Sequence, residues 1–316
     1  MEYENAIKLK EKLLKNHQEM ALEDIITGKE INTEKGTCYS IENKSKLKLN
    51  KIDSRLAKER ILSDLKLLNG IGCSKEEKLK EKGYNTIEDL KDHDGLNNDA
   101  LEFLKIFEDN PNCNMTNLIS RWYSKSHPLV LFSSSFWNDE DFIFLDIETL
   151  GLSNKPIILL GVAKVSGSEI TVNQYLSRSL NEEDAVIDAF LSGVESESVF
   201  VTFNGQTFDL PFILNRMRHF NIKKEINNPH FDMLHFSRRE WSSKLPNCKL
   251  TTLEKHLFNI GRDDDVPSAL VPEFYQTYLK TGNIGPLVPI VEHNEQDIIT
   301  LAMLFSKLHE NYANNY

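Results

Sequence analysis

Apolar residues follow two different periods along this chain, helical in its first part and largely strand-like after it. Residues 1–25 are typical of a helix rich in Lys, Glu and Leu, and a polar stretch with turn residues follows over 26–50. Over 55–109 the apolar spacing is again helical, with breaks at 69–72 and 83–85. The first part is therefore predicted to be mainly helical, built from several short helices.

From about residue 142 onward, short runs rich in β-branched and aromatic residues alternate with helical segments. The predicted strands cover 142–145, 157–165, 170–176 and 199–201. The predicted helices cover about 182–194, 208–220, 250–258 and 286–309. This order predicts an α/β domain with a mixed sheet flanked by helices.

The patterns divide the chain into three predicted parts. Residues 1–54 form a helical or irregular segment, 55–125 a small helical domain, and 138–316 the α/β domain. A length of 316 residues fits about two domains with room for a buried core.

The charge distribution excludes a uniformly basic coat for nucleic acid. The chain has 37 Lys+Arg against 48 Asp+Glu, a net charge of −11. Residues 1–130 carry 22 basic and 23 acidic side chains, so that nearly all of the excess negative charge lies in the rest of the chain. That excess favours either surface solubility or carboxylates gathered around divalent cations.

Neither the cysteines nor the hydropathy indicate a secreted or membrane protein. The four cysteines form no CxxC pair and are widely scattered, which fits neither a zinc site nor a disulfide framework. No apolar run approaches the roughly 18–20 residues that span a bilayer. We therefore expect a cytoplasmic protein without a membrane partner.

Two carboxylates, separated by one apolar residue, lie at the end of the first predicted strand of the α/β domain. Asp146 and Glu148 are two residues apart, so their side chains share one face of the strand. Hard oxygen ligands of this kind suit Mg²⁺ or Mn²⁺, although strand-end carboxylates also occur as solvated or capping groups.

Two further segments carry candidate chemistry. Asp209 follows the Asn204-Gly205 turn at the start of a predicted helix, where it is either an N-cap or a ligand. His293 and Asp297 are four residues apart on a helix and share one face, as a surface hydrogen-bonded pair or as part of a site.

Taken in order, these motifs resemble the DnaQ-like exonucleases, the DEDD superfamily with a ribonuclease-H-like fold. The likeness covers about residues 140–309. Within it, segments 231–241, 248–250, 262–267 and 293–297 look most like the YprB-type group. The histidine class of the superfamily usually has four residues between His and Asp, whereas this chain has three, an arrangement that the YprB-type group shares.

The resemblance implies that Asp146, Glu148, Asp209 and Asp297 hold two divalent ions, Mg²⁺ or Mn²⁺, and that His293 is the general base. It further implies a 3′→5′ exonuclease with DNA as its partner, working in repair or processing, and it suggests a helicase partner.

Three polar residues near these motifs are candidates for nucleic-acid contact. Asn204 is either a turn former or a substrate contact. Arg238 and Arg239 either bind phosphate or pair with local acids. Asp232, by contrast, is expected to end a short strand and organise the helix that follows.

A segment of the predicted helical domain, 67–90, resembles a helix-hairpin-helix motif. Gly70-Ile71-Gly72 would expose backbone N–H groups at a helix start, where Lys75 adds a positive charge, and such groups bind phosphate without reading sequence. That family usually has a small residue where Glu76 stands. A helix pair that serves only folding is the alternative.

Three functions therefore remain open from sequence. The leading hypothesis is a DNA exonuclease. The alternatives are an exoribonuclease, since nothing in the motifs reads the 2′-hydroxyl, and a non-catalytic DNA-binding adaptor for a helicase.

Overall fold

The computed structural model of the protein describes residues 2–109, 111–262 and 265–315. Its helices, in chain order, are α1 (Glu2–Asn16), α2 (Leu22–Ile25), α3 (Ser54–Leu62), α4 (Cys73–Glu81), α5 (Asn97–Asp109), α6 (Pro111–Trp122), α7 (Pro128–Ser133), α8 (Glu183–Ser192), α9 (Asp209–His219), α10 (Met233–Trp241), α11 (Leu250–Leu253), α12 (Val271–Thr281) and α13 (Val288–Asn315). None of the helices described is long and apolar enough to cross a membrane.

The described strands form one mixed sheet in the order β1-β2-β5-β4-β3-β6-β7. Their bounds are β1 (Lys29–Thr33), β2 (Gly36–Lys46), β3 (Phe142–Thr149), β4 (Ile157–Ser166), β5 (Glu169–Leu176), β6 (Val199–Thr202) and β7 (His230–Asp232). Strands β1 to β5 pair antiparallel, whereas β3, β6 and β7 are parallel. The mixed sheet flanked by helices that the sequence predicts is thus confirmed.

Helices cover both faces of this sheet because successive side chains of a strand point to opposite sides. Leu159 and Leu160, neighbours on β4, belong to two different cores. One core contains apolar residues of α1, α12 and the start of α13, and the other those of α8 and α9. The central strand β3 is buried along almost its whole length, so its polar residues have little access to solvent.

The chain forms two compact units. The α/β unit comprises Met1–Leu49 and Asp139–Phe305, and the helical unit comprises Asn50–Asn138 and Ser306–Tyr316. The sequence pattern instead predicted residues 1–54 as a segment separate from the α/β domain. The difference arises because β2 pairs with β5 from Tyr39 opposite Leu176 to Lys46 opposite Glu169, which joins the N-terminal hairpin to the sheet.

Local patterns locate the later elements closely. The four predicted strands correspond to β3, β4, β5 and β6, and the four predicted helical segments to α8, α9, α11 with the π-helical turn Glu254–Phe258, and α13. The hairpin β1–β2 and helix α12 are additions to the predicted elements. The first strand of the hairpin is largely exposed and shows no apolar alternation.

The free thiols among the described side chains are Cys38, Cys73 and Cys248. The side chain of Cys113 lies outside the described residues, as do Asp263 and Asp264 of the family-like segment 262–267.

Candidate active site

Asp146 and Glu148 lie on β3, the strand at which the sheet changes from antiparallel to parallel pairing. The register of β3 against β4 shifts between Glu148 and Thr149, so the regular ladder ends at this pair. Glu148 is 7% exposed. The two carboxylates therefore project from the end of a rigid central strand, as the two-residue spacing predicts.

Asp209 begins α9 and is 4% exposed. Its Oδ1 accepts a hydrogen bond of 3.2 Å from the backbone N–H of Ile147, which lies between the two β3 carboxylates. The side chain thus joins the helix start to β3, instead of capping α9, whose N-cap is Phe208. This bond brings a third carboxylate to the same end of the sheet.

Helix α13 supplies the remaining two predicted residues. His293 is 6% exposed, and its Nε2 lies 3.6 Å from Asp297 Oδ2 and 3.9 Å from Glu148 Oε1. The five predicted site residues, Asp146, Glu148, Asp209, His293 and Asp297, are therefore brought together from β3, α9 and α13.

Asn294, between them on α13, fixes the orientation of Asp146. Its Nδ2 donates to Asp146 Oδ2 at 2.7 Å, and its Oδ1 accepts from Gln174 Nε2 at 2.8 Å. Asn294 and Gln174 are both fully buried. The chain of bonds from β5 through α13 to β3 holds Asp146 in one rotamer.

Helix α13 reaches the sheet at this point because β4 has a glycine opposite Asp146. Gly161 is the register partner of Asp146. A Cβ at Gly161 would lie 2.1 Å from Asn294 Oδ1 and 2.4 Å from Ile298 Cδ1, well inside contact distance. Glycine is therefore required for the close approach that places His293 and Asp297 against β3.

Burial and mutual repulsion together raise the pKa values of the gathered carboxylates. Burial, followed by the charges of Asp297, Asp209 and Glu148, raises the pKa of Asp146 well above its usual range. Burial and the charges of Asp297 and Asp209 do the same for Glu148. Burial raises the pKa of Asp209 to about 7. Bringing four such groups together stores unfavourable electrostatic energy that a bound cation would relieve.

The ring of His293 is oriented by Asp265. Its Nδ1 lies 2.7 Å from Asp265 Oδ1. Burial lowers the pKa of the imidazole, but the hydrogen bond to Asp265 and the charge of Asp297 outweigh it and raise the pKa above 6.5. When Nδ1–H donates to Asp265, the lone pair of Nε2 faces Glu148 and Asp297, the position that a general base needs.

Arg262 crosses the site beside Asp297. Its guanidinium donates to Asp297 Oδ1 and forms two hydrogen bonds of 2.8 Å to the carboxylate of Glu254, which is 1% exposed. The fork of a guanidinium matches a carboxylate held in this way. Glu254 thus fixes Arg262 as a permanent positive charge next to the carboxylate cluster.

The donor set fits divalent cations in its chemistry. Asp146, Glu148, Asp209 and Asp297 offer carboxylate oxygens in a largely buried, negatively charged cluster, and such hard oxygen donors are the preferred ligands of Mg²⁺ and Mn²⁺. Among the residues that the structure describes, no three His, Cys, Asp or Glu side chains already lie in the geometry of a complete metal site. The raised pKa values of the cluster are the observation that favours a cation there.

The Asn204 turn packs against Asp232. Asn204 has a left-handed backbone with φ of 70°, and its N–H donates to Asp232 Oδ1 at 2.8 Å. Asp232 ends β7 and caps α10 by accepting from Leu234 N–H at 3.1 Å. The structural role predicted for Asp232 is confirmed, and Asn204 forms the turn. A substrate contact by Asn204 stays a prediction.

Arg238 and Arg239 lie exposed in the last turn of α10. Their side chains point to solvent, and phosphate contact by either of them stays a prediction.

In the helical unit, the Gly70-Ile71-Gly72 segment precedes α4. Gly70 has φ of +72°, and Gly72 is the N-cap residue of α4. Lys75 lies exposed in the first turn, with its Nζ 3.3 Å from the carbonyl of Gly70. The exposed helix start agrees with the predicted geometry, and phosphate binding by these residues stays a prediction.

Glu76, where the resemblance leads one to expect a small residue, is accommodated in the helical unit as a buried ion pair. Its carboxylate accepts from the backbone N–H of Leu65 at 3.1 Å and pairs with Lys66 at 2.6 Å and Lys80 at 3.1 Å. These bonds satisfy the charge of a carboxylate that is only 8% exposed.

Sequence reasoning did not identify Gly161, Asn294, Asp265, Arg262 and Glu254 as parts of the site. Asn294 lies in the family-like segment 293–297, and Arg262 and Asp265 lie in the family-like segment 262–267, which was the local signal available. Gly161 and Glu254 are recognisable only when strands and helices far apart in sequence are brought together.

Comparison with known proteins agrees with this geometry. A family model described as the RNase H superfamily matches residues 143–309, more than half of the chain. The chain is 34% identical over 200 residues to the uncharacterized protein YprB of Bacillus subtilis (strain 168). That match covers 60% of this chain and 47% of the relative, so the chain spans about half the length of the protein it resembles.

Proposed function

Because this chain belongs to the RNase H superfamily, in a YprB-type group, we propose that it is a divalent-metal-dependent 3′→5′ exonuclease that hydrolyses phosphodiester bonds of DNA in repair or processing. The chain contains an RNase H-like nuclease domain, for which nucleic acid is the substrate and divalent metals are generally used. The single observation that carries the proposal is the convergence of Asp146, Glu148, Asp209 and Asp297 around His293.

In this proposal the four carboxylates hold two Mg²⁺ or Mn²⁺ ions. Such a pair neutralises charge on the attacking and leaving oxygens of an in-line displacement. Asn294 fixes the orientation of Asp146, and the Ile147 N–H does the same for Asp209.

His293 takes the proton from the attacking water. In the tautomer that carries the ring proton on Nδ1, Asp265 accepts from Nδ1–H and Nε2 is the basic nitrogen. Asp265 also stabilises the imidazolium that forms, as the raised pKa of His293 indicates. Ser268 Oγ lies 3.3 Å from Nε2 and can bind the same water.

The test uses the full chain and single-stranded DNA labelled at its 5′ or 3′ end, with Mn²⁺, with Mg²⁺ or with EDTA. A 3′→5′ exonuclease gives a ladder of shortened products from the 5′ label and mononucleotides from the 3′ label. We expect Asp146→Asn to lower kcat about 10²- to 10³-fold, the usual cost of removing one group that stabilises transition-state charge. Glu169→Gln, an exposed carboxylate on β5, is the matched control.

Two results would replace the proposal. Faster hydrolysis of a matched RNA oligomer would make the protein an exoribonuclease. Metal-independent DNA binding without turnover would make it an adaptor. The helicase partner belongs to the proposal as well, and stimulation of nuclease activity by a co-purified helicase is its test.

A further inference from the structure

A cavity of about 670 Å³ opens beside His293 in the α/β unit. One wall is formed by site residues, and the other by basic side chains from α1 and from the residue that precedes α11. The lining includes Arg262, Ser268 and His293 on the first wall and Lys8, Lys12 and Lys249 on the second.

Helix α1 is a fixed part of this wall. Leu9 and Leu13 lie in the same core as residues of α12 and α13, with 8% exposure each. Lys10 forms an ion pair with Glu273 of α12. Lys8 and Lys12, four residues apart, share a neighbouring face about 6 Å apart along the helix axis. Two ammonium groups at this spacing can reach neighbouring phosphates of one strand.

The lining is rich in basic side chains although the chain as a whole is acidic. The protein carries a net charge of −11, yet three lysines, an arginine and a histidine line this cavity. The carboxylate among its described lining residues is Asp265, which lies 2.7 Å from His293 Nδ1 and 3.7 Å from Arg262 Nη1. The wall formed by Lys8, Lys12 and Lys249 therefore places three ammonium donors beside the path toward the carboxylate cluster.

We propose that Lys8, Lys12 and Lys249 bind backbone phosphates of the nucleic-acid strand next to the phosphodiester bond that is hydrolysed. The location of that bond rests on the proposed function, whereas the binding itself does not. Ammonium groups bind phosphate as point charges and do not read bases. The cavity is thus expected to bind nucleic acid of any sequence, with an affinity that falls as the salt concentration rises.

The experiment measures binding of 5′-fluorescein-labelled hexathymidylate to the full chain by anisotropy, in EDTA and over a range of salt concentrations. We expect Lys8→Gln with Lys12→Gln to weaken binding about tenfold. Because single-strand binding loses about 0.7 in log–log salt slope for each phosphate contact removed, the slope should become shallower by about 1.4. The double arginine variant of the two positions should restore both values.

The matched control is Lys244→Gln with Lys280→Gln, which removes the same charge from exposed positions of the same unit that lie outside the cavity lining. It should leave affinity and salt slope unchanged. Circular dichroism should show the same helix content in all variants, since none of the four lysines is buried.

Three results would overturn the inference. The first is no binding of the hexamer by the unsubstituted protein, and the second is the same affinity for the double glutamine variant as for the unsubstituted protein. The third is competition by hexaglutamate as effective as that by unlabelled hexathymidylate, which would indicate a cavity that binds any polyanion. Failure of the proposed function looks different. In that case the protein hydrolyses nothing, while hexamer binding still depends on Lys8 and Lys12.

Discussion

His309 gives the helical unit a measurable weakness toward acid. The side chain is 1% exposed, its Nδ1 accepts from Ile52 N–H at 3.1 Å, and its Nε2 lies 3.0 Å from Ser134 Oγ. The Ser134 hydroxyl donates in turn to the carbonyl of Leu131 at 2.6 Å. These partners fit the neutral ring with its proton on Nε2, because protonated Nδ1 would face an N–H donor.

The magnitude follows from the pKa of this ring. Burial, with a smaller contribution from the positive charge of Lys51, lowers the pKa of His309 from 6.5 to about 3. As the pH falls below 6.5, the His309 side chain becomes protonated in the unfolded chain but stays neutral in the folded chain. The stability that neutral His309 contributes is therefore complete above pH 6.5 and is lost progressively toward pH 3. At pH 5 the loss amounts to about 2 kcal/mol.

The assay compares urea unfolding at pH 7.5 and pH 5.0 for the unsubstituted protein and His309→Asn. Tryptophan fluorescence reports chiefly on the helical unit, which contains Trp122 and Trp137, whereas Trp241 lies in the α/β unit. At pH 7.5 the variant should be about 1 kcal/mol less stable because it loses a buried hydrogen bond. Between the two pH values the unsubstituted protein should lose about 2 kcal/mol more than the variant.

Other groups titrate over the same range and oppose this trend. Asp209, with its pKa raised to about 7, takes up a proton more readily in the folded state and gains stability as pH falls. These terms are common to both proteins and cancel in the difference. Exposed His219→Asn serves as the control and should follow the unsubstituted protein. An equal pH response of His309→Asn and the unsubstituted protein would refute the reasoning.

Three further predictions concern other parts of the fold. Gly161→Ala should lower the free energy of unfolding by about 1–3 kcal/mol and abolish most nuclease activity. The reason is that the added Cβ would lie 2.1 Å from a side-chain oxygen of α13. An unchanged melting temperature and an unchanged turnover would contradict the close approach of α13 to β4. Asp265→Asn should reduce kcat about 10²-fold with KM unchanged, since the amide lacks the negative charge that stabilises the His293 imidazolium; a change confined to KM would argue against this role. Glu76→Ala should destabilise the helical unit by about 1–3 kcal/mol in urea unfolding by leaving a buried backbone N–H unpaired, whereas exposed Glu77→Ala should have little effect.

The local pattern was sufficient for β3 to β6, for α8, α9, α11 and α13, and for pairing Asp146 with Glu148 and His293 with Asp297, whereas α12 was not predicted. Strand β3 is buried on both faces and flanked by turns, so its apolar run is unambiguous, and the two-residue spacing of Asp146 and Glu148 fixes their common face. The four-residue spacing of His293 and Asp297 does the same on α13. These relations are local because the periods of a strand and of a helix are properties of the backbone.

The hairpin β1–β2 was not predicted because it lies at the edge of the sheet and is held there by backbone hydrogen bonds, with few apolar side chains to mark its strands. Strand β1 is exposed along much of its length, and β2 belongs to the sheet through its pairing with β5, more than 120 residues away. An edge strand of this kind has no periodic signal of its own.

The sequence by itself identified the candidate site residues, and the tertiary structure decided how they are held. Gly161 is significant only because α13 packs on β4, Arg262 only because Glu254 directs it to Asp297, and Lys8 only because α1 packs beside the site. Each of these roles is a contact between elements that are far apart in the chain. Such contacts depend on how two surfaces meet in space, which the period of either element alone does not specify.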